Sequence, residues 1–422
     1  MGVNIMNCES SLKLENGKYM IRDIDILGLC KKYGTPLYVY DAAKISEQIA
    51  LFRRAFKGID LKIKFAAKSL SNINILKLMK KEGIGLDTVS LQEIQFGLQA
   101  GFSPEEIVYT PNIEYFSEII KAAEMGVSIN IENLSNLEKF GKEFGNRIPC
   151  CIRLNPNIIA EAEREKVSNW HNQSKFGISL FQFDKLEKLV EKYHLRINGI
   201  HIHSSHAIMT TEIFLKGAKI IFDLAKKFPD LEYFDFGGGI KVADFEGENV
   251  IDIVELGAEF KVVFDEFCAE YGRKLQLWFE PGRFLVGESG YLLTEVVVRK
   301  TNGDVEFAGV DSGFNHLIRP MMYGAFHEIV NISKPNGIKQ KYSVVGNLCE
   351  IDDFGRDRML NEVSEGDILM IKNAGAYGFV MSSNYNARFR PPEILIINEE
   401  AELIRKRETM EDLLRNQIEI EI

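Results

Sequence analysis

Eight short apolar runs alternate with amphipathic segments between residues 62 and 285, and this alternation constrains the fold most. The runs read KIKFAA, GLDTVS, IVYT, VSINI, CCIRL, GIHIH, YFDFGG and LWFE, and each has the composition of a strand. Segments between them, such as NINILKLMKKEG and YFSEIIKAAEMG, have helical periodicity and several end in Gly. A doubly wound open sheet would also alternate in this way, but eight units favour a closed (β/α)8 barrel.

After about residue 285 the helical periodicity disappears. The runs YLLTEVVVRK, DVEFAGVD, YSVVG, DILMIK and EILIIN predict strands, and KPNG and SEGD predict the turns of an antiparallel sheet. The predicted fold class is therefore α/β, a (β/α)8 barrel followed by a second, mainly antiparallel β domain. We expect the barrel over residues 36–285 and the β domain over residues 286–422, joined by N-terminal residues 1–35.

Composition excludes several classes of protein. Hydrophobic residues make up 45% of the chain and charged residues 27%, and no apolar run is long enough to span a membrane. A net charge of −10 disfavours a general nucleic-acid or anionic-membrane surface. The six cysteines lack metal-ligand spacing, and MGVNIMNCES is not a secretory signal, so we expect a cytoplasmic protein without a metal site.

If the barrel prediction holds, polar residues at the carboxyl ends of the strands form the functional site, because that face carries the chemistry in this architecture. These residues are Lys68, Asp87, Arg153, His201, His203, Gly237 to Gly239, Glu280 and Arg283. Lys68 ends an apolar strand, where an ammonium group must find a partner, reach water or lose its proton. Either of the two histidines could instead be a satisfied core residue, since alternation places both on one side of the strand.

FDFGGGI and FEPGRFL follow the last two barrel strands, where barrels commonly bind a phosphate group. Backbone N–H groups of consecutive glycines can approach phosphate oxygens, and Arg283 can add a charged contact, although a glycine triplet alone is equally a tight turn. A phosphate site with a reactive lysine, a carboxylate and a histidine indicates pyridoxal 5′-phosphate. Lys68 would form the Schiff base, and the carboxylate would keep the pyridine nitrogen protonated.

Nine segments in order resemble the alanine-racemase-like, fold-type III pyridoxal-phosphate-dependent decarboxylases. They are FAAKSLSNINIL, GLDTVSLQEIQFGLQAG, SKFGI, HIH, FDFGGG, EPGRFL, RPMMYGAFHEI, GNLCEIDDF and NAGAYGFVMSSNYNARFRPPEIL. They extend over about residues 35 to 398, and their shared order is more specific than any one of them.

The resemblance implies a role for each matching residue. Lys68 would bond the cofactor, Glu280 would face its pyridine nitrogen, and His203 would stack on its ring. Gly237, Gly238, Gly239, Arg283 and Tyr377 would bind the rest of the cofactor, and Arg283, Arg319, Tyr323, Glu350 and Tyr377 would bind substrate. Cys349 would donate a proton to the substrate carbon. The resemblance also implies a head-to-tail homodimer in which the partner supplies the segment with Cys349 and Glu350.

Two positions depart from the family pattern. Ser69 and Leu70 follow Lys68 where the family usually has Ala-Asn, and the Gly-Ser after the second histidine is replaced in HIHSSHAI by Ser205 and His206. The second change puts part of the phosphate site in doubt. We expect Ser204 or Ser205 to supply a hydroxyl, or His206 to contact the phosphate.

The predicted reaction is decarboxylation of a small amino acid. Arg319, Tyr323 and Glu350 together suit a substrate whose far end carries both a carboxylate and an ammonium, as meso-2,6-diaminopimelate does. We therefore expect conversion of this substrate to L-lysine and CO2, the last step of lysine biosynthesis. The alternatives are decarboxylation of another basic amino acid or of carboxynorspermidine, racemisation, or a degenerate homologue that only binds the cofactor. Arg319 could also be an interdomain salt-bridge residue.

Overall fold

The chain folds into two units that are interleaved in sequence. A computed structural model describes residues 11–156, 174–203, 210–245, 247–351 and 353–422. The barrel unit consists of Ile49–Lys241 and Asn249–Gly282. The β unit consists of Met1–Gln48, Val242–Glu248 and Arg283–Ile422.

The N-terminal segment begins with a small antiparallel sheet and ends in the helix that leads into the barrel unit. Its elements are β1 (Leu12–Glu15), β2 (Lys18–Ile21), β3 (Ile24–Asp25), α1 (Ile26–Tyr33), β4 (Leu37–Asp41) and α2 (Ala42–Ala55). Asp25 starts α1 because its carboxylate accepts hydrogen bonds from the free backbone N–H groups of Leu27 and Gly28.

Eight parallel strands close the barrel. They are β5 (Leu61–Ala66), β6 (Gly85–Thr88), β7 (Ile107–Tyr109), β8 (Ser128–Ile131), β9 (Cys150–Asn155), β11 (Ile197–His201), β12 (Tyr233–Asp235) and β13 (Gln276–Phe279), with the short β10 (Ile178–Ser179) beside β9. Each strand pairs with the next, and β13 pairs in parallel with β5 to complete the circle. The predicted (β/α)8 barrel is confirmed, and each of the eight predicted runs overlaps one strand.

Helices connect the barrel strands and cover their outer faces. They are α3 (Ile73–Lys81), α4 (Leu91–Ala100), α5 (Phe116–Glu124), α6 (Leu134–Phe144), α7 (Phe183–Tyr193), α8 (Thr211–Ala225) and α9 (Ile253–Tyr271). Aromatic side chains fill the layer between helices and strands. For example, Phe222 of α8 packs on Phe234 of β12 at a ring-centroid distance of 5.0 Å. This layer holds the strand ends in place and so positions the site.

The interior of the barrel has an apolar middle and a polar end. Val108, Cys151, Tyr233 and Trp278 form one buried cluster, in which the rings of Tyr233 and Trp278 stack 3.7 Å apart. Side chains that point inward on a strand recur every second residue. The inward position after Trp278 is therefore Glu280, at the carboxyl end of the barrel.

The β unit is built on a mainly antiparallel sheet, as predicted. The C-terminal part has the strands β14 (Gly290–Asn302), β15 (Val305–Val310), β16 (Ile329–Asn331), β17 (Lys339–Val345), β18 (Asp353–Asn361), β19 (Ile368–Ile371), β20 (Glu393–Ile397) and β21 (Glu400–Arg405). It also has three short helices, α10 (Arg283–Val286), α11 (Arg319–Tyr323) and α12 (Met410–Leu414).

The main sheet of the β unit has the order β18-β17-β15-β14-β4-β20-β21, and β19 joins β14 to β16. Two pairs in it are parallel, β15 with β17 and β4 with β20. Strand β4 lies between β14 and β20, so the N-terminal segment forms part of this sheet. Within the described ranges, no helix is both long enough and apolar enough to cross a membrane.

Candidate active site

Lys68 lies in a single 3-10 turn, Ala67–Ser69, directly after β5. Its Nζ is 2.8 Å from Oδ2 of Asp87, which lies on the neighbouring strand β6. The Lys68 side chain is 35% exposed, whereas Asp87 is fully buried. The amine that follows this apolar strand is therefore not desolvated, because it reaches solvent and has a carboxylate partner.

Burial raises the pKa of Asp87 to about 6, and the nearby charge of Glu280 adds to this effect while Lys68 opposes it. A carboxylate with a pKa near neutrality, in direct contact with an amine, is able to take up or release a proton at that amine. Asp87 was predicted to belong to the site, and the structure gives it this specific position.

Glu280 and Asp235 are buried carboxyl groups at the ends of β13 and β12. Burial alone would raise the pKa of Glu280, but His201 and Lys68 lower it below the ordinary range, and Oε2 of Glu280 is 3.3 Å from Nε2 of His201. Burial, together with the charge of Glu280, raises the pKa of Asp235 far above its usual value. The pKa values of these two neighbouring carboxyl groups are therefore shifted in opposite directions, that of Glu280 down and that of Asp235 up.

His203 presents a neutral imidazole. Its Nδ1 accepts a hydrogen bond of 3.0 Å from the backbone N–H of Gly238, so the ring proton is on Nε2. Burial lowers the pKa of His203 to about 3, and the positive charges of Arg153 and Lys68 contribute. His201, the other candidate, is buried against Glu280 and is therefore part of the site rather than a plain core residue.

The turn after β12 requires glycines because neighbouring residues approach its backbone closely. A Cβ atom on Gly237 would lie 2.4 Å from Nδ1 of His203, and one on Gly238 would lie 2.8 Å from the backbone oxygen of Glu280. Gly237 and Gly239 also have positive φ values of 62° and 94°. Any side chain on Gly237 or Gly238 would therefore displace His203 or Glu280, and the N–H groups of these two glycines donate to Oδ1 of Asp235 and Nδ1 of His203.

The carboxyl end of the barrel contains buried polar atoms that have no hydrogen-bond partner within the described residues. They are Asp87 Oδ1, Asn130 Oδ1, Asp235 Oδ2 and Glu280 Oε1. Buried polar atoms are normally paired, so this cluster is suited to a polar ligand. Together with the glycine turn and a lysine, these groups fit a pyridoxal phosphate. Sequence reasoning missed Asp235 and Asn130, although Asp235 stands inside the FDFGGG segment.

In the β unit, Arg319 is a buried cation at the start of α11. Its side chain is 8% exposed, and no carboxylate of the described residues lies within 4 Å of its guanidinium, whose Nε lacks any partner. Burial and the neighbouring Arg283 lower the pKa of Arg319 to about 10. The alternative of a structural salt bridge is thus not realised within the described ranges. Arg283, in contrast, is paired with Asp244.

The remaining predicted residues of the β unit differ in exposure. Cys349 and Glu350 are exposed, and Tyr323 is 60% exposed at the end of α11. The hydroxyl of Tyr385 donates to Glu350 over 3.3 Å. Tyr377 is half-buried and has a φ of 56°, a conformation that a bulky residue adopts only where its surroundings enforce it.

The site residues therefore form two groups, one in each unit. The barrel unit brings together Lys68, His203, Gly237, Gly238 and Glu280, whereas Arg283, Arg319, Tyr323, Cys349, Glu350 and Tyr377 belong to the β unit. The predictions for Ser204, Ser205 and His206 concern residues outside the described ranges.

Known proteins support the same chemistry. Residues 42–287 match the family model of the pyridoxal-dependent decarboxylases, specifically its pyridoxal-binding domain. The chain therefore belongs to the pyridoxal-dependent decarboxylases. This confirms the family predicted from the motifs and its pyridoxal cofactor.

Its relatives in this family are diaminopimelate decarboxylases. The enzyme of Methanothermobacter thermautotrophicus is 36% identical over 96% of each chain. That of Escherichia coli is 33% identical over 92% of this chain and 95% of its own. The solved diaminopimelate decarboxylase of M. jannaschii has a TM-score of 0.89 at 30% identity, covering 97% of this chain and 98% of its own.

Proposed function

We propose that the chain is a pyridoxal-phosphate-dependent decarboxylase that converts meso-2,6-diaminopimelate to L-lysine and CO2. The observation that carries the proposal is the buried Arg319 guanidinium without a carboxylate partner among the described residues. A buried charge is costly unless it is paired, so this cation is suited to a substrate carboxylate. Relatives that share at least 33% of the sequence are named for this reaction.

The barrel unit supplies the residues that would hold the cofactor. Lys68 would bond it, Glu280 would face its pyridine nitrogen, and His203 would contact its ring. Gly237 to Gly239 would bind the phosphate, with Arg283 and Tyr377 of the β unit as further contacts. When bound, pyridoxal phosphate supplies the electron sink that decarboxylation requires.

Two carboxyl groups of the barrel unit control protons in this proposal. Glu280, charged because His201 and Lys68 lower its pKa, would keep a proton on the pyridine nitrogen. Asp87, 2.8 Å from Nζ of Lys68, would take up the proton that Lys68 must lose to act as a nucleophile. Cys349 would deliver a proton from its Sγ to the substrate carbon after CO2 has left.

The β unit supplies specificity for the far end of the substrate. Arg319 and Tyr323 would bind the distal carboxylate, and Glu350 would bind the distal ammonium. Ornithine and lysine lack the distal carboxylate and would leave the buried Arg319 unpaired. Leaving a buried charge unpaired costs several kcal/mol, which favours the substrate that carries both groups.

We also propose that the chain functions as a head-to-tail homodimer in the cytoplasm. The surface beside the candidate substrate residues exposes Met321, Met322, Tyr323 and Ile351, a set of large apolar side chains that suits a protein interface. Exposed Cys349 and Glu350 would reach the partner's site across it. The five described cysteines are free thiols, in agreement with a reducing compartment.

The proposed reaction is tested by incubating the purified protein and pyridoxal phosphate with meso-diaminopimelate and measuring CO2 and L-lysine. We expect equal amounts of the two products. Cofactor binding without CO2 release from diaminopimelate or any other amino acid would instead establish a degenerate, binding-only homologue.

A further inference from the structure

A cavity of about 620 Å³ opens at the amino end of the barrel, opposite the end that carries Lys68. It lies entirely within the barrel unit, between α2, the first residues of β5 and β13, and the loops that precede β6 and β7. Its charged and polar lining residues are Arg53, Lys57, Asp60, Lys62, Lys64, Glu105, Glu106 and Gln276. The proposed decarboxylation uses none of these residues.

Lys64 is the buried cation of this cavity, with 5% of its surface exposed. Its Nζ donates to the backbone oxygen of Glu106 over 3.0 Å and lies 4.5 Å from the ring centroid of Trp278. Among the described residues no carboxylate is within 4 Å of this Nζ. An ammonium group has three N–H donors, so two of them have no protein acceptor there.

Two of the three carboxylates of the lining are already engaged, and the third, Glu105, is exposed. Asp60 contacts Lys62 at 3.7 Å and accepts from Gln276 at 3.0 Å, and Glu106 is held by Lys80 at 2.5 Å. Lys57 also has no carboxylate within 4 Å among the described residues. Lys64 is therefore a buried cation of the cavity without a carboxylate partner among the described residues.

We propose that this cavity binds a small oxyanion, a phosphate or a carboxylate, which accepts hydrogen bonds from Nζ of Lys64. The anion completes the coordination of the buried ammonium, and Lys57 at the rim adds long-range attraction. The stack of Trp278 on Tyr233 separates this cavity from the carboxyl end of the barrel, so the anion is distinct from the phosphate of the cofactor.

Proton uptake accompanies binding in this proposal. Burial lowers the pKa of Lys64 to about 8, and Lys62 contributes, while Asp235, Glu106 and Glu280 oppose the decrease. An anion at Nζ favours the charged amine and raises its pKa again. Between about pH 8 and 9, the amine is partly neutral before binding and protonated after it, so the protein takes up a fraction of a proton.

The test is isothermal titration calorimetry of the holoenzyme with inorganic phosphate and, separately, with succinate at pH 8.5. Running each titration in two buffers of different ionisation enthalpy measures the proton uptake. Lys64→Met removes the charge at similar volume, Lys64→Gln is a second variant, and Lys77→Met, at an exposed lysine of α3 outside the cavity lining, is the control. Retained visible absorbance of the cofactor shows that each variant is folded.

We expect one Lys64-dependent anion per chain, bound at least tenfold more weakly by both Lys64 variants and equally well by Lys77→Met. Binding of phosphate alone or of succinate alone identifies which oxyanion the cavity takes. No saturable binding of either probe up to about 10 mM would overturn the proposal. Equal binding by the unchanged protein and the Lys64 variants means an adventitious ion only and would also overturn it.

Discussion

The backbone N–H of Gly238 donates a 3.0 Å hydrogen bond to Nδ1 of His203 and so fixes both the orientation and the neutral tautomer of the imidazole. This contact joins the end of β11 to the glycine turn after β12. It couples the residue proposed to contact the cofactor ring to the turn proposed to bind the phosphate.

The glycine turn gives the first prediction. Gly238→Ala places a methyl group 2.8 Å from the backbone oxygen of Glu280, so the turn must shift and the hydrogen bond to His203 is lost. We expect roughly tenfold weaker cofactor binding, measured by titration of the visible absorbance, because a buried acceptor loses its partner. Gly28→Ala is the control, since its Cβ would meet nothing closer than 3.7 Å. Unchanged cofactor affinity in Gly238→Ala would contradict the role of the turn.

Substitutions of Lys68 and Glu280 are expected to have different effects. Lys68→Ala removes the amine that bonds the cofactor, so both the visible absorbance of the bound cofactor and CO2 release should disappear. Glu280→Gln should keep the absorbance but lower kcat by roughly 10²-fold, since the charge that holds the ring proton is lost. Lys62→Met, on the strand β5 that precedes Lys68, should change neither readout. A fully active Lys68→Ala protein would end this account of the site.

His316 gives a prediction of pH dependence. It is buried in the β unit with both ring nitrogens in hydrogen bonds, to Ser312 and to the backbone oxygen of Phe389, and burial lowers its pKa to about 4. The unfolded chain therefore binds the additional proton at a higher pH than the folded chain does. The free energy of unfolding should fall as the pH is lowered from about 6.5 to about 4, by up to roughly 3 kcal/mol from this residue.

His316→Asn should remove that contribution, so the urea midpoint of the variant should depend less on pH over this interval. Parallel curves of midpoint against pH for the variant and the unchanged protein would show that His316 is not held neutral by burial.

Arg319→Ala tests specificity. We expect kcat/KM for diaminopimelate to fall by 10² to 10³, as expected when a buried charged contact to substrate is lost, while the visible absorbance of the cofactor is unchanged. Arg319→Lys should recover only part of the loss, because an ammonium cannot reproduce the forked contact of a guanidinium. Loss of the cofactor signal in Arg319→Ala would instead indicate a structural role.

The barrel could be predicted from the sequence because its strands are buried on both faces. Such strands are continuous apolar runs that stand out between amphipathic helices. The strands β1 to β4, β10, β16, β18 and β21 were not predicted. Strand β18, DFGRDRMLN, illustrates the reason, since one of its faces is exposed and its polar residues resemble those of a loop. The domain boundaries at residues 36 and 285 stay a prediction.

The site was predictable where a residue type is tied to one chemical role. Lys68, Glu280 and the glycine triplet were found in this way. Asp87 was predicted as a site residue but not as the partner of Lys68, because the pairing of β5 with β6 brings the two together. Asp235 lies within an apolar segment, so its local sequence does not mark it as a site residue. Only the structure shows that its carboxyl group is buried near Glu280, which raises its pKa. That Arg319 lacks a carboxylate partner among the described residues also depends on the fold rather than on local sequence.

The most direct test of the central claim is a side-by-side measurement of CO2 release from meso-diaminopimelate, ornithine, arginine and lysine by the unmodified holoenzyme. The account predicts turnover of diaminopimelate to L-lysine, with kcat/KM for each of the other three lower by roughly 10³-fold or more, because each leaves the buried Arg319 unpaired. Comparable turnover of ornithine and diaminopimelate would contradict the account.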